Sequence, residues 1–258
     1  MSDATALAPQ GLSYAGAEPQ GVLPDGFLTG PPEGLLAGAG DALLLRRRLL
    51  DGPAKPAGLS RSSRLTKRTF DLFAASLMVL LFAPLLLVIA LLIRLEDRGP
   101  VLFRQTRVGR DGKHFQILKF RTMVVGADQL KDGLRELNEA GGLFKIADDP
   151  RVTRVGSFVR RSCIDELPQL FNVLGGTMSL VGPRPLIPEE DRLIIGRHRV
   201  RLQTAPGMTG HWQVLGASRV PLHEMVAIDS GYVANWSIWG DIGTLAKTVP
   251  CVLAMRGM

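Results

Sequence analysis

The chain has 258 residues, a formal net charge of +7 and 46% hydrophobic residues, which allows one domain of ordinary size with extensions. Its two cysteines exclude a disulfide-stabilised scaffold and are typical of a reducing compartment. Basic residues cluster in 46–68 and 98–121, where they would attract phosphates on nucleic acid, lipid head groups or nucleotides. Charge alone does not distinguish these three kinds of partner.

The first segment, residues 1–66, is rich in Gly, Pro and Ala and shows little hydrophobic periodicity. This composition predicts a poorly ordered extension. Residues 42–50 combine apolar and basic side chains and indicate a short surface helix lying on lipid. The extension lacks a basic region followed by an apolar region and a cleavage site, so no secretory signal peptide is expected.

A long uncharged run at residues 72–93 predicts a membrane helix within 67–97. As a helix the run would measure about 33 Å, against about 30 Å for a hydrocarbon core. Pro84, near its middle, allows two interpretations: a kinked span, or a break that returns the helix to the face it entered. Flanking cations lie on both sides of the run, at Lys67, Arg68, Arg94 and Arg98. The positive-inside rule therefore gives no orientation, and the symmetric flanks slightly favour re-entry.

The globular part, residues 98–258, has the pattern of an α+β domain with several helices. β-rich segments at 101–108 and 114–121 flank a Gly/Asp turn and predict a β-hairpin. Helices are predicted at 126–140, 166–174, 187–202 and from 222 onwards, a helix or strand at 154–161, a loop at 205–210 and a strand at 212–215. The sequence has no Gly-rich fingerprint of the Rossmann or P-loop kind.

An adjacent acidic pair, Asp165 and Glu166, is the main candidate for chemistry. Pro168 suits a first helical turn, so Asp165 is predicted at or near a helix N-cap. There the helix dipole would keep Asp165 ionised and would also create a place for a phosphate oxygen. The alternative is that the pair only caps the helix and complements its dipole.

Nearby arginines favour a functional role for the acidic pair over capping alone. Arg160 and Arg161 precede the pair, and Arg184 is fixed between two prolines. Guanidinium groups bind phosphate oxygens in a planar, bidentate manner. Two carboxylates among arginines suggest a divalent-metal site that also holds a diphosphate. Mg²⁺ commonly takes one or two protein carboxylates together with substrate phosphates.

Four motifs, in this order, closely resemble the bacterial sugar transferases, the monotopic phosphoglycosyl transferases. They lie at residues 103–109, 119–123, 165–185 and 206–213, and the resemblance extends from about residue 67 to the C-terminus. It implies an enzyme that transfers a sugar-1-phosphate from a UDP-sugar to polyprenyl (undecaprenyl) phosphate and releases UMP. This is the first membrane step of exopolysaccharide, capsule or glycoconjugate synthesis.

The resemblance also implies a location and a set of partners. A re-entrant helix broken at Pro84 would anchor a small catalytic domain, residues 98–258, on the cytoplasmic face of the bacterial inner membrane. The implied partners are the UDP-sugar donor, the polyprenyl phosphate acceptor and the lipid bilayer, without nucleic acid. A homodimer is left open, and the sugar is not specified.

Site residues follow from the motifs by position. Asp165 would be the nucleophile that forms an aspartyl phospho-sugar intermediate, and Asp165 and Glu166 would bind Mg²⁺. The implied substrate-binding residues are Lys119, Arg121, Arg160, Arg184, Arg219, Asp229 and Asp241. Of these, Lys119 and Arg121 would lie near the site or the lipid head group. Asp229 and Asp241 match the C-terminal pattern, as does Tyr232, without a defined role.

The chain departs from the family pattern at two places. Ala83 stands where many relatives have Ser before the proline, so a helix-bending hydroxyl bond is absent there. Residues 216–219 read Gly-Ala-Ser-Arg where many relatives have Gly-Arg. If the arginine of those relatives contacts the donor, Arg219 would have to replace it from a position two residues further along the chain. Both departures bear on the identity of the donor and leave the reaction class unchanged.

A rival interpretation comes from another class of protein. A membrane-tethered, non-catalytic protein would use the basic surface to bind nucleic acid or anionic lipid, and its binding to nucleic acid would weaken steeply with salt. This interpretation leaves the acidic pair and the Pro-Arg-Pro sequence at residues 183–185 unexplained. Three tryptophans are candidates for stacking on uracil, for the lipid interface or for core packing: Trp212, Trp236 and Trp239. Cys163 is expected to have a packing role, and the four histidines are expected to have surface or structural roles.

Overall fold

The computed structural model describes residues 59–127, 129–130, 146, 149–215 and 221–253. The expectations for residues 1–58, for most of the helix at 126–140 and for Arg219 lie outside these residues. The helices are α1 (Arg61–Asp97), α2 (Arg154–Arg161), α3 (Gln169–Leu174), α4 (Pro188–Asp191), α5 (His211–Leu215), α6 (Leu222–Ala234) and α7 (Ile238–Leu253). The strands are β1 (Leu102–Val108), β2 (His114–Phe120), β3 (Ser179–Val181) and β4 (Gly207–Thr209). The predicted α+β class, with small sheets and several helices, is confirmed.

Helix α1 begins at Arg61, before the predicted residue 67. Its N-cap is Ser60, whose hydroxyl oxygen accepts the backbone N–H of Ser63 at 3.1 Å. The helix ends where Arg98 adopts a left-handed conformation with φ of 57° and donates its N–H to the Arg94 carbonyl. A serine cap and a left-handed residue thus define the two ends of one long helix.

The helix passes through Pro84 without an interruption of its helical residues. The expected break at Pro84 is therefore not present as a gap in the helix. Helices in apolar surroundings tolerate proline because neighbouring groups and local adjustments compensate for the freed carbonyl. Within the described ranges, α1 is the one helix long and apolar enough to cross a bilayer by length and composition, and 17% of its most apolar window is buried.

One stripe of α1 packs on the rest of the domain. Its buried members follow a helical spacing: Lys67, Asp71, Ala75, Leu86, Ile89 and Ile93. Ala75 belongs to a core cluster with Leu170 and Val173 of α3, while Ile89 and Ile93 join a second cluster that contains Phe120 and Val159. The helix that carries the apolar run therefore also forms part of the domain core.

The predicted β-hairpin is confirmed. Strands β1 and β2 are antiparallel, with Leu102 opposite Phe120 and Val108 opposite His114. In the connecting turn, Asp111 and Gly112 have φ of 57° and 75°, which Asp and Gly adopt more readily than most residues. The Gly/Asp turn signal in the sequence reflects this left-handed backbone.

A second, parallel pair joins β3 and β4, with Ser179 opposite Gly207 and Val181 opposite Thr209. The predictions of a loop at 205–210 and a strand at 212–215 are therefore wrong: the strand lies earlier, and residues 211–215 form helix α5. A Cβ at Gly207 would approach the backbone of Gly182 to under 3.0 Å. Glycine allows this close contact between the two chain segments.

The other helix predictions hold to differing degrees. The segment at 154–161 is helical, and the chain from Leu222 forms α6 and α7, as predicted. The helix predicted at 166–174 is instead a 3₁₀ turn at Ile164–Glu166 followed by α3. The stretch at 187–202 divides into α4 and a 3₁₀ segment, Gly196–Gln203.

Candidate active site

Asp165 lies in the middle of the 3₁₀ turn between α2 and α3. The prediction that it caps a helix is wrong, because α3 begins at Gln169 and the residue at its N-cap is Pro168. Immediately before the turn, Cys163 has φ of 55°, a left-handed conformation that is uncommon for a residue with a side chain. This reversal ends α2 and carries the acidic pair away from the helix axis.

The environment of Asp165 raises its pKa. Burial is the largest cause, and the negative charge of Glu166 adds to it, while the cations Lys119 and Arg160 oppose both. The pKa of Asp165 is raised to about 6. The carboxyl group is therefore mostly ionised at neutral pH, yet its charge is poorly solvated, which suits a nucleophile.

Glu166 forms an ion pair with a lysine from the hairpin. The Lys119 ammonium on β2 lies 2.5 Å from Glu166 Oε1, and both side chains are about one quarter exposed, at 26% and 24%. The hairpin therefore brings the second family motif against the acidic pair. Lys119 thus lies at the site as expected, in direct contact with one of its carboxylates.

Arg160, on the last turn of α2, approaches the same pair from another side. Its Nε donates to the Thr122 hydroxyl at 2.7 Å, and the charge of Asp165 acts on its pKa. Burial lowers the pKa of Arg160, and the carboxylates of Asp165 and Asp149 oppose that effect. Arg160 is thus held between two acids by a hydroxyl from the end of the hairpin.

Arg121 lies elsewhere, although it neighbours Lys119 in sequence. Its guanidinium donates to both carboxylate oxygens of Asp97, the last residue of α1, and Arg121 is 8% exposed. This bidentate pair joins the hairpin to the end of the apolar helix. The structure therefore places Arg121 at the helix end, a position next to the lipid head groups if α1 enters a bilayer.

Arg184 is held by its backbone. Its N–H donates to Asp229 Oδ2 at 3.1 Å, and its carbonyl accepts from the guanidinium of Arg201. Asp229 is 2% exposed and also contacts Arg201 at 3.3 Å. Asp229, expected among the substrate-binding residues, thus contacts the backbone of Arg184 rather than facing solvent.

Asp241 is buried in a different network, whose Trp236 member is partly exposed. It accepts hydrogen bonds from Lys67 at 2.6 Å, from the Tyr232 hydroxyl at 2.8 Å and from the Trp236 indole at 3.1 Å. Its exposure is 0%. The structure therefore places Asp241 and Tyr232 in one network of their own, apart from the contacts of Asp165.

Two polar residues near the site escaped the sequence prediction. Thr122 holds Arg160, as described above. Arg107 on β1 donates to the Pro185 carbonyl at 3.0 Å. Burial lowers the pKa of Arg107 and Arg184 adds to this effect, while Glu190 and Glu166 oppose it. The Nε of Arg107 is buried without a hydrogen-bond partner. Both residues lie inside quoted motifs, but only tertiary contacts reveal which motif side chains meet the acidic pair.

Asp165 and Glu166 are the side chains of the site that could bind Mg²⁺. Among the described residues no group of three or more His, Cys, Asp or Glu side chains has metal-ligand geometry. Asp165 and Glu166 provide two carboxylates close enough for one to raise the pKa of the other. This set fits Mg²⁺, which keeps waters and takes substrate phosphates as its remaining ligands, and would not form an all-protein cage.

Comparison with known proteins decides the family. The family model described as bacterial sugar transferase matches residues 62–255. The chain belongs to the bacterial sugar transferase family. The match includes α1, the hairpin, the acidic pair and both C-terminal helices, so it covers every element described above.

Three relatives indicate the range of the family. The exopolysaccharide production protein ExoY of Rhizobium meliloti is 40% identical over 211 residues, 80% of this chain and 91% of that protein. The UDP-glucose:undecaprenyl-phosphate glucose-1-phosphate transferase of Caulobacter vibrioides is 46% identical, over 73% of this chain and 70% of its own. The undecaprenyl-phosphate galactose phosphotransferase of Salmonella typhimurium is 42% identical over 76% of this chain. The chain spans 42% of the length of that Salmonella relative.

Proposed function

We propose that this bacterial sugar transferase moves a sugar-1-phosphate from a UDP-sugar to undecaprenyl phosphate and releases UMP. The observation that carries the proposal is Asp165, partly buried beside Glu166 with a pKa raised to about 6 and with Lys119 and Arg160 as its cationic neighbours. The names of the Salmonella and Caulobacter relatives describe the same class of transfer. ExoY adds a link to exopolysaccharide production.

The reaction would proceed in two displacements at the β-phosphorus of the donor. In the first, a carboxylate oxygen of Asp165 bonds to this phosphorus, and the bond to the bridging oxygen breaks, so UMP leaves with the electron pair. In the second, a phosphate oxygen of the acceptor bonds to the same phosphorus and the aspartyl oxygen leaves. A covalent intermediate of this kind divides one difficult exchange into two easier steps.

The neighbours of Asp165 have complementary tasks in this mechanism. Arg160, oriented by Thr122, would bind a phosphate oxygen and stabilise the charge that develops during each displacement. Lys119 would exchange its bond to Glu166 for a donor phosphate when the substrate enters. Mg²⁺, held by Asp165 and Glu166, would neutralise part of the diphosphate charge when bound.

The direct test is release of UMP by detergent-solubilised protein supplied with Mg²⁺, undecaprenyl phosphate and a panel of UDP-sugars. Asp165→Asn should abolish release, and quenched wild-type enzyme should carry a phospho-sugar adduct detectable by mass spectrometry. Asp111→Asn is the matched control, because its side chain is 64% exposed in the hairpin turn. Unchanged UMP release by Asp165→Asn would refute the nucleophile assignment.

For topology, we propose that α1 bends at Pro84 and leaves the bilayer by the face it entered, so that the catalytic domain lies on the cytoplasmic side of the inner membrane. Cations at both ends of the apolar run support this arrangement. Single cysteines placed at Arg68 and at Arg98 should then react with an impermeant maleimide from the cytoplasmic side alone. Labelling of the two positions from opposite sides would establish a span instead.

A further inference from the structure

The ends of two parallel strands bring Arg184 and Trp212 together. Strand β3 leads into Gly182, Pro183 and Arg184, and its partner β4 leads into Gly210, His211 and Trp212. The carboxyl ends of parallel strands lie at the same edge, so residues that follow them become neighbours. Close approach is required here, because a Cβ at Gly210 would come within 3.0 Å of the Trp212 indole and nearer still to the Gly182 carbonyl.

The contact between the two side chains is a cation–π stack. The guanidinium carbon of Arg184 lies 4.6 Å from the centroid of the Trp212 ring. Trp212 is 5% exposed and packs with Met225 and Leu186 in a core cluster, so the ring itself is firmly held. The flat face of the Arg184 guanidinium stacks on the Trp212 ring. The N–H groups of Arg184, which point outward in the guanidinium plane, therefore stay available for oxygen acceptors.

Arg184 has few other constraints on its side chain. Its backbone is fixed by Asp229 and Arg201, as described above, but over residues 59–127, 149–215 and 221–250 no carboxylate forms an ion pair with its guanidinium. Arg107, whose buried Nε lacks a partner, is near enough for the Arg184 charge to affect it. The carboxylates of Glu190 and Glu166 also act on Arg107. The Arg184 guanidinium, which has no such ion pair in those ranges, is therefore the group of the two that would favour an anion.

We infer that Trp212 is a positioning residue, the ring on which Arg184 is held so that its N–H groups face a diphosphate. The inference rests on the proposed function for the identity of that diphosphate. It assigns Trp212 a task other than stacking on uracil, because one ring face carries Arg184 and the indole is almost fully buried. Trp212 acts on substrate only through Arg184.

The test compares anion affinity, turnover and stability in a set of variants. Trp212→Leu removes the ring, Trp212→Phe keeps an aromatic face, and Arg184→Ala removes the cation. Inorganic pyrophosphate, with Mg²⁺, is the binding probe, measured by calorimetry on detergent-solubilised full-length protein. UMP release is measured in parallel, so that turnover and binding are judged separately.

Trp212→Leu should raise the Kd for pyrophosphate about three- to tenfold, the range expected for loss of one cation–π contact. Trp212→Phe should restore most of that affinity. In the Arg184→Ala background, Trp212→Leu should have no further effect, because the stack is already gone. Met225→Ala is the control for core damage: it should lower the melting temperature and leave the Kd unchanged.

Opposite results would overturn the inference. Additive effects of Trp212→Leu and Arg184→Ala, or an equal loss of affinity in Met225→Ala, would show that Trp212 only supports the core. A wild type that binds no pyrophosphate would also refute it. If the variants bind pyrophosphate in the expected pattern but the wild type releases no UMP, the positioning role of Trp212 stands and the proposed reaction is refuted.

Discussion

Lys67, on the second turn of α1, donates to Asp241 of α7 at 2.6 Å and to the Val181 carbonyl at 2.8 Å. The side chains of Lys67 and Asp241 are 6% and 1% exposed, so this ion pair is shielded from water. Val181 is the last residue of β3, the strand that leads to Arg184. A single ammonium group thus joins the apolar helix, the C-terminal helix and the strand that carries a proposed phosphate ligand.

Breaking this pair should destabilise the protein more than removing both charges. Lys67→Met leaves Asp241 buried without its cation, and we expect a loss of about 3–5 kcal/mol in the free energy of unfolding. Lys67→Met combined with Asp241→Asn should recover part of that loss. Thermal unfolding in detergent measures both. A double variant less stable than Lys67→Met alone would contradict the expectation.

The pKa of Asp165 makes a prediction about stability and pH. Because the folded-state pKa is raised to about 6, above about 3.9 in an unfolded chain, the ionised carboxylate destabilises the fold. The favourable contribution of the protonated group is complete below pH 3.9 and is lost as pH rises through 6. Its loss amounts to at most about 3 kcal/mol.

Asp165→Asn should therefore raise the melting temperature at pH 8 in EDTA, where the wild-type carboxylate is ionised. At pH 5 the difference should shrink, because the wild-type group is then mostly protonated. The control Asp111→Asn, with its exposed side chain, should show no such change between the two pH values. An equal stabilisation by Asp165→Asn at pH 5 and pH 8 would argue against the raised pKa.

Local signals in the sequence predicted the parts of the fold that local contacts determine. The hairpin followed from a Gly/Asp turn between two β-rich segments, and the end of β1 lies opposite the start of β2, as that turn requires. The pairing of β3 with β4 did not follow, because each strand has three residues and the partners are distant in sequence. The pairing of β3 with β4 depends on close packing of Gly182 against Gly207, a contact that only the three-dimensional structure shows.

The site shows the same division. The motifs identified Asp165, Glu166 and Lys119, and the position of Arg160 shortly before the acidic pair identified that arginine. The structure brings the four together. The prediction of Asp165 at a helix N-cap was wrong because Cys163 takes a left-handed conformation, which cysteine rarely adopts and the sequence therefore does not predict. Asp229 and Asp241 were predicted to bind substrate, but the contacts that the structure gives them are buried and lie within the protein, which sequence spacing alone does not indicate.

Gly156 is predicted to control where α2 sits. A Cβ there would approach the Thr122 carbonyl to under 3.0 Å, and that carbonyl also accepts the N–H of Thr153 at the start of the helix. Gly156→Ala should displace α2 and lower the free energy of unfolding by about 1–3 kcal/mol. Because Arg160 lies on α2, the displacement should also lower the rate of UMP release. Gly243→Ala, a helical glycine with open space around its Cβ position, should be neutral or slightly stabilising.

Thr122→Val should weaken catalysis with little change in shape. The substitution removes the hydroxyl that accepts from Arg160 Nε at 2.7 Å and leaves a partly buried guanidinium N–H without that partner. We expect kcat/KM to fall about tenfold, corresponding to about 1.4 kcal/mol, within the range for hydrogen bonds to charged groups.

The pH dependence of kcat/KM distinguishes this effect from a general loss of stability. Arg160 lowers the pKa of Asp165, so a poorly held Arg160 should let that pKa rise and move the acid limb of the profile to higher pH. Thr106→Val is the matched control, since its hydroxyl accepts from Gln116 on the exposed side of the hairpin. If both variants keep the wild-type acid limb, Thr122 does not act on Asp165 through Arg160.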